Sequence, residues 1–260
     1  MVAATAPFGA DVLERLAARH EVAALLTRPD RPAGRGRRLA PPPAKAAAER
    51  LGIPVLQPER PTGELTPAAD TVVVCAYGLL IPEALLERGL WLNVHPSLLP
   101  RWRGAAPVER ALLAGDTETG VTIHETVKEL DAGPIAAQGA FPIGADDDAG
   151  AVFVRCAELA VELLDDVLPS PSFRPQPDEG ATYAAKIEPA DRELDLTAPA
   201  HESLNRIRAL SPHIGARAEL DGRRVTIWRA RVEEGRLVPV EVQPEGGKRM
   251  EYDAFLRGLR

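Results

Sequence analysis

The first two-thirds of the chain alternate between short apolar runs and helical patterns, and this alternation limits the fold more than any other feature. The apolar runs predict buried strands at 22–27, 71–77 and 90–95. Helical patterns precede and separate them, at 10–19, 44–51 and 82–88. Such a β-α-β order predicts an α/β fold, with a parallel sheet covered by helices on both faces. Functional side chains are then expected at the carboxyl ends of the strands.

A different pattern follows a long helix predicted from about residue 146 to 167 and a proline-rich stretch at 169–177. One short helix at 202–210 leads into three strand-like runs, at 216–220, 224–232 and 237–242. Asp221-Gly222 separates the first two runs and is a strong hairpin signal. The sequence therefore predicts an N-terminal domain over 1–183, a linker over 184–200 and a small antiparallel β domain over 201–260.

Composition limits the class of protein. The longest apolar stretches are shorter than the ~20 residues that cross a bilayer, and the N-terminus lacks the pattern of a signal peptide. Cys75 and Cys156 lie in apolar runs without metal-ligand spacing, which favours buried free thiols over a disulfide or a nucleophile. These features predict a cytoplasmic protein that has no membrane contact. The net charge of −7 argues against broad, non-specific nucleic-acid binding, so RNA contacts require local basic patches.

Three polar residues form the candidate catalytic group. Asn93 and His95 are two apart on the strand predicted at 90–95, so their side chains leave the same face. Asp131 follows another strand-like run, at 121–127, and could reach the imidazole. An amide, an imidazole and a carboxylate can together polarise an acyl oxygen and move a proton. The same residues also fit a structural Asn-His pair and an ordinary Asp-x-Gly-Pro turn.

No metal-ligand cluster or phosphate-binding loop is present, so no metal is predicted.

Several segments resemble the methionyl-tRNA formyltransferase family. They are the run from Asn93-Val94-His95-Pro96-Ser97 to Pro107, the segment 115–123, the loop 28–37, and the tail segments 241–250 and 255–258. The resemblance covers nearly the whole chain. It implies a Rossmann-like formyltransferase domain followed by an OB-like tRNA-binding domain. The implied reaction transfers a formyl group from 10-formyltetrahydrofolate, as co-substrate, to the α-amino group of methionine on initiator methionyl-tRNA. The family also implies a monomer.

The resemblance assigns roles to matching positions. Asn93, His95 and Asp131 correspond to the catalytic trio. In formyl transfer, the Asn93 amide would stabilise the oxyanion, His95 would donate to it or shuttle the proton, and Asp131 would orient the imidazole. The positions implied on the folate side are Ser97, Leu98, Leu99 and Pro100, with the backbone around Ala76, Tyr77 and Gly78.

One segment is similar to a related family, the phosphoribosylglycinamide formyltransferases. The His95-Pro96-Ser97 core and His124, which precedes Asp131, both fit that family's pattern. His124 is therefore either a second imidazole in the site or a strand histidine that faces solvent or a backbone carbonyl. The sequence leaves both interpretations open.

The C-terminal domain departs from the family pattern because it is short. Only about eight residues separate the segment 228–231 from the segment 241–244. Three countable strands do not complete a five-stranded OB barrel, since closure needs a consistent strand number and tilt. An open sheet leaves unpaired edges, which favour packing against the main domain or a partner.

Basic residues cluster in three places. The first group is a loop rich in proline and glycine that contains Arg28, Arg31, Arg35, Arg37 and Arg38. The second group is Arg101 and Arg103, which flank Trp102. The third lies in the C-terminal domain and includes Arg223, Arg224, Arg229, Arg231, Lys248 and Arg249. The first and third groups also fit an ordinary solvated surface, and Trp102 of the second group fits packing into the domain. The resemblance instead favours tRNA contacts by Arg28, Arg31, Arg35, Arg37, Arg38, Arg101, Arg103, Lys248 and Arg249.

Two other functions remain open on the sequence. The first is a folate-dependent formyltransferase that acts on a small amine, either phosphoribosylglycinamide or an amino sugar. The His-Pro-Ser core, His124 and the short C-terminal domain support it, whereas the arginine loop and the tail oppose it. The second is a non-catalytic folate- or RNA-binding relic, which the intact catalytic trio opposes.

Overall fold

Residues 1–33, 38–62 and 69–259 are described by a computed structural model, except for the side chain of Ala33. The backbone forms two compact units. The first comprises Met1–Arg103, Gly120–Ala140 and Val154–Ala181, and the second comprises Gly104–Thr119, Phe141–Phe153 and Thr182–Arg260. The domain boundaries expected near residues 183 and 200 stay a prediction.

The secondary structure follows the predicted alternation of strands and helices. The strands are β1 (Val2–Ala4), β2 (Leu25–Leu26), β3 (Arg31–Ala33), β4 (Arg38–Ala40), β5 (Val55–Leu56), β6 (Thr71–Cys75), β7 (Leu90–His95), β8 (Arg103–Gly104), β9 (Glu118–Glu125), β10 (Ile135–Pro142), β11 (Tyr183–Ala184), β12 (Ala216–Leu220), β13 (Arg223–Glu233), β14 (Arg236–Pro244) and β15 (Met250–Glu251). The α-helices are α1 (Pro7–Ala17), α2 (Pro43–Leu51), α3 (Glu83–Leu86), α4 (Pro107–Ala114), α5 (Ala149–Val167), α6 (Ala200–Leu210) and α7 (Tyr252–Arg257), and a 3-10 turn covers Pro189–Arg192.

A seven-stranded sheet forms the centre of the N-terminal part, in the order β10-β9-β7-β6-β1-β2-β5. The strands from β5 through β2, β1 and β6 to β7 are parallel, which confirms the predicted α/β class. The parallel prediction fails at β9, which runs antiparallel to β7. The strand expected at 22–27 is reduced to Leu25–Leu26. Buried apolar side chains such as Leu26, Val72, Val74 and Trp91 form the core here.

Of the described α-helices, α1, α2, α3, α5 and α6 lie where the apolar spacing predicts helices, whereas α4 and α7 lie outside the predicted ranges. The long helix α5 begins three residues later than expected and buries Cys156, Ala160 and Leu164 completely. Cys75 and Cys156 are both buried free thiols, as predicted. Burial raises the pKa of the Cys156 thiol to about 12. None of the described helices is long and apolar enough to span a membrane.

The C-terminal sheet has the order β12-β13-β14-β15, and its neighbouring strands are antiparallel. The three predicted strands are present, and the two-residue β15 and the helix α7 are additions that the sequence did not predict. Residues from α6, the strands and α7 pack into one core, including Ile207, Val225, Val242 and Phe255. Past this core, β13 and β14 continue as a hairpin whose tip, residues 231–236, is exposed. The described residues thus form four strands in this sheet, fewer than a five-stranded barrel needs.

Candidate active site

The candidate catalytic side chains come from the pairing of β7 with β9. The register sets Asn93 opposite His124 and His95 opposite Thr122. Directly opposite residues of an antiparallel pair project from the same face of the sheet. These four side chains therefore share one face, at the carboxyl end of β7.

The predicted trio lies together. The Asn93 amide donates through Nδ2 to Asp131 Oδ1 over 3.1 Å, and His95 Nδ1 lies 3.7 Å from Asp131 Oδ2. The other imidazole nitrogen, His95 Nε2, donates to the carbonyl of Trp102 over 2.8 Å. A carbonyl can only accept, so Nε2 carries a hydrogen. A protonated ring would present Nδ1–H to Asp131, and a neutral ring would present its lone pair.

His124 adds a second imidazole to this group. Its Nδ1 donates to the backbone carbonyl of Glu125 over 2.9 Å, and its Nε2 lies 3.2 Å from Asn93 Nδ2. The side chain is buried, with 1% of its surface exposed. Burial, followed by the nearby His95, lowers the pKa of His124 to about 4. The ring is therefore neutral near pH 7. Both interpretations left open by the sequence hold in part, because His124 joins the site and also binds a backbone carbonyl.

The backbone around the site adopts unusual conformations. Ala76, Trp102 and Asp131 have positive φ angles of 46°, 66° and 47°. Non-glycine residues rarely occupy this region, and such residues cluster at functional sites. At Trp102 this conformation accompanies the carbonyl that His95 binds, and at Asp131 it accompanies the carboxylate. The sequence carries no signal for these angles.

The loop that carries Asp131 is held by side chains that sequence reasoning missed. Gln176 Nε2 donates to the carbonyls of Asp131 and Gly133, each over 3.0 Å. Gln176 Oε1 in turn accepts from Arg103 Nε over 2.7 Å. At Gly133, an added Cβ would lie 1.8 Å from the Glu125 carbonyl oxygen, so only glycine fits. Gln176 lies in the proline-rich stretch, where no motif marks it.

The segment 97–100 is held to the sheet by two further side chains. Thr122 Oγ1 donates to the Ser97 carbonyl over 2.7 Å and accepts from the Leu99 amide over 3.1 Å. Gln138 Nε2 donates to the Leu99 carbonyl over 2.9 Å. Alternation along β9 points Thr122 and His124 to the same face, and this signal could have identified Thr122.

The two imidazoles and the carboxylate of the candidate site are close enough together to share one metal ion. Ligand atoms of His95, His124 and Asp131 lie within 4.8 Å of one another. However, the Asn93 amide donates to the His124 Nε2 lone pair that a metal ion would need. The expected absence of a metal stays a prediction.

Comparison with known proteins identifies the family. The profile described as "Formyl transferase" matches residues 1–168, and that described as "Formyl transferase, C-terminal domain" matches residues 186–236. A methionyl-tRNA formyltransferase from Cereibacter sphaeroides is 42% identical over 286 aligned positions, covering 97% of this chain and 93% of the relative. The chain belongs to the methionyl-tRNA formyltransferase family. Another member, from Dechloromonas aromatica, is 42% identical and covers 98% of this formyltransferase and 94% of the relative.

Solved structures agree with the fold. A methionyl-tRNA formyltransferase from Clostridium thermocellum superposes with a TM-score of 0.63 at 18% identity, covering 74% of this chain and 86% of that one. WlaRD, a sugar 3N-formyl transferase, gives a TM-score of 0.67 at 16% identity, covering 90% and 85% of the two chains. The alignment of 286 positions with the Cereibacter relative is longer than this 260-residue formyltransferase. The relative therefore has residues, within the aligned region, that this chain lacks.

The residues predicted on the folate side differ in burial. Ser97, Leu99 and Tyr77 are buried, and the Ser97 hydroxyl donates to the Arg101 carbonyl over 2.7 Å. Leu98 and Pro100 are half-buried, whereas Ala76 and Gly78 are exposed. Folate contact by these residues stays a prediction, and for the buried ones it would run through the backbone.

The residues predicted to bind tRNA differ in exposure. Arg31, Arg38, Arg101, Lys248 and Arg249 are exposed, whereas Arg28 is half-buried and Arg103 is buried. Arg35 and Arg37 lie outside the described residues.

Some of these basic residues have contacts within the protein. The Arg249 guanidinium lies 3.5 Å above the Trp228 ring, and Arg103 donates to Gln176. Asp30, the acid among the loop arginines, accepts hydrogen bonds from Gln57 and Lys45, and these contacts lower the pKa of its carboxyl. Contact of the predicted residues with tRNA stays a prediction.

Proposed function

We propose that this protein transfers a formyl group from 10-formyltetrahydrofolate to the α-amino group of methionine on initiator methionyl-tRNA, for translation initiation. The similarity of 42% over nearly the full length to methionyl-tRNA formyltransferases supports this substrate. The observation that carries the chemistry is the contact of the Asn93 amide and the His95 imidazole with one carboxylate, Asp131.

The reaction forms one C–N bond and breaks another. The neutral amine attacks the formyl carbon, and the carbonyl electron pair moves to the oxygen. Collapse of this oxyanion restores the carbonyl and breaks the bond to the folate nitrogen N10. The departing nitrogen gains a proton, and the attacking nitrogen loses one.

The three residues fit these steps. The Asn93 amide supplies N–H groups, and an oxyanion beside Nδ2 would share one hydrogen now directed at Asp131 or His124. Catalytic hydrogen bonds often shorten and align when the substrate binds. His95 serves as the proton carrier through Nδ1, beside Asp131. The carboxylate stabilises the charged imidazole that forms when His95 takes a proton.

Further properties belong to the same proposal. The formyl donor is 10-formyltetrahydrofolate, no metal takes part, and the enzyme acts as a monomer in the cytoplasm without membrane contact. The exposed basic residues Arg31, Arg38, Arg101, Lys248 and Arg249 contact tRNA phosphates.

A second candidate function is formylation of a small amine. The four-stranded C-terminal sheet and the structural similarity to a sugar 3N-formyl transferase favour it. That similarity, at 16% identity, concerns the fold alone, whereas relatives that are 42% identical are tRNA formyltransferases. The tRNA substrate is therefore the better supported one.

One assay tests the proposal and its alternatives. The purified chain is incubated with 10-formyltetrahydrofolate and either methionine-charged initiator tRNA, phosphoribosylglycinamide or an amino-sugar nucleotide. We expect formyl-methionyl-tRNA as the product, with a KM for tRNA that rises with salt because phosphate contacts release counterions. Formylation of a small amine alone would replace the proposal by the second function. Folate binding without any product would indicate a relic.

Substitution of Asn93 tests the catalytic assignment in the same assay. We expect Asn93→Ala to lower kcat by about 10²–10³-fold, the effect of losing an oxyanion donor. Arg50→Ala is the matched control, because Arg50 is exposed on α2 and pairs with Glu14. Normal turnover by Asn93→Ala would exclude Asn93 as a catalytic residue.

A further inference from the structure

The geometry points to a role for His124 that the trio does not include: we propose that His124 is a positioning residue whose Nε2 fixes the orientation of the Asn93 amide. This inference rests on the proposed function only in that Asn93 acts in formyl transfer. His124 itself need not touch the substrate.

Donor and acceptor chemistry determines the direction of each hydrogen bond. The Glu125 carbonyl can only accept, so His124 Nδ1 carries the hydrogen and Nε2 of the neutral ring carries a lone pair. The partner of that lone pair, 3.2 Å away, is Asn93 Nδ2. The Asp131 carboxylate, 3.1 Å from the same Nδ2, is also an acceptor. Two acceptors thus take the two hydrogens of one amide nitrogen.

This arrangement excludes the flipped amide. With Oδ1 of Asn93 in place of Nδ2, an oxygen would face both a lone pair and a carboxylate. Asp131 alone would leave the amide free to pivot about one bond, and His124 supplies the second fixed point. An amide held in one orientation keeps its N–H groups on the side of the site where charge develops, so the transition state needs less reorganisation.

Three observations show how the protein keeps the His124 ring neutral, opposite Asn93 and in one orientation. The ring is almost fully buried, and burial is the largest cause that lowers its pKa to about 4, so it stays neutral at neutral pH. The β7–β9 register sets it directly opposite Asn93. The absence of a Cβ at Gly133 leaves room for the Glu125 carbonyl that orients the ring.

A matched pair of substitutions distinguishes the role of His124 Nε2 from that of Nδ1. The amide of His124→Gln reaches about as far as Nε2 and can still accept from Asn93, whereas the amide of His124→Asn reaches only as far as Nδ1. We expect His124→Asn to lower kcat about tenfold, about the size of one hydrogen bond, and His124→Gln to lower it clearly less. The KM values should change less than twofold in both. Equal losses in the two variants, at equal free energies of unfolding, would overturn the proposal.

A double-mutant cycle tests whether His124 acts through Asn93. Once Asn93→Ala has removed the amide, we expect His124→Asn to have no further effect on kcat. An unchanged tenfold loss in that background would show that His124 acts independently of Asn93 and would contradict the inference.

A measurement without turnover separates failure of this inference from failure of the proposed function. In ¹⁵N NMR of the whole protein at pH 7, His124 should show a protonated Nδ1 and an unprotonated Nε2. Asn93→Ala should shift the Nε2 signal. A protonated Nε2 would overturn the inference even if the tRNA is formylated, and the expected tautomer would support it even if the substrate is a different amine.

Discussion

Asp131 connects the two groups that the proposed chemistry uses. Its Oδ1 accepts from Asn93, and its Oδ2 faces His95 Nδ1. The residue has a φ of 47°, in the left-handed region where aspartate and asparagine are tolerated better than most residues. Asparagine therefore fits this position without new backbone strain.

Removal of the Asp131 charge should separate its electrostatic role from its structural one. We expect Asp131→Asn to lower kcat by about 10²-fold or more, because a neutral amide no longer stabilises a charged imidazole at His95. Steady-state formylation kinetics measure the loss. Urea unfolding checks that the fold is kept, and turnover within threefold of wild type would show that the carboxylate charge is dispensable.

The sequence predicts the members of this site but not their conformations. Spacing indicates that Asn93 and His95 share a face, and Asp131 is a candidate because it follows the strand-like run at 121–127; the resemblance then assigns all three to the catalytic trio. The partner of His95 Nε2 is a backbone carbonyl, that of Trp102, and no side-chain pattern marks it. Gln176 is missed for a related reason, because it acts from a proline-rich segment that is distant in sequence.

Strand β9 accounts for the arrangement of the site at the level of elements. It pairs antiparallel with β7, so His124 is opposite Asn93 and Thr122 is opposite His95. A shift of one residue in this register would turn both β9 side chains to the other face. The direction of β9 is therefore as important for the site as the identity of its residues.

Gly133 gives a test of the loop that follows β9. Its added Cβ would lie 1.8 Å from the Glu125 carbonyl oxygen and 3.4 Å from His124 Nδ1. We expect Gly133→Ala to lower the free energy of unfolding by about 1–3 kcal/mol and to lower kcat, since the loop must move. Chemical denaturation and formylation kinetics measure the two effects.

Gly258→Ala provides the control for this substitution. Gly258 has a φ of −77°, and its added Cβ would meet only ordinary contacts, of which the nearest is 3.4 Å. We expect little change in stability there. Equal behaviour of the two alanine variants would show that the close approach at Gly133 is unimportant.

Buried elements are the ones that the sequence predicts best. Strands such as β6 and β7 are found where their apolar runs predict them, because both faces of a central parallel strand are buried. The sequence does not predict the antiparallel direction of β9, because a buried apolar run indicates a strand without indicating its direction. Short elements with few apolar residues, such as β15, leave too weak a pattern to detect.

The pH dependence of stability is a property of the whole molecule to which His124 contributes. The folded pKa of about 4 lies below the ordinary 6.5 of histidine, so the unfolded chain binds the proton first as the pH falls. The contribution of neutral His124 to the free energy of unfolding is therefore complete above pH 6.5. It is lost as the pH falls from 6.5 toward 4.

Substitution of His124 should therefore make the free energy of unfolding depend less on pH. Between pH 7 and 5, we expect wild type to lose about 2 kcal/mol more unfolding free energy than His124→Gln. Urea titrations of both proteins at each pH measure this difference, and carboxylates common to both cancel in the comparison. Parallel profiles would mean that His124 does not stay neutral in the folded protein.

The β13–β14 hairpin extends beyond the apolar core of the C-terminal sheet. Residues 231–236 at its tip are exposed, and Glu234 and Gly235 form the turn with positive φ angles of 50° and 75°. Additions at such an exposed turn are tolerated well, because they displace no buried group. This hairpin tip is thus a suitable place to splice in an affinity epitope or a fluorescent label, at a distance in sequence from every residue of the proposed catalytic trio.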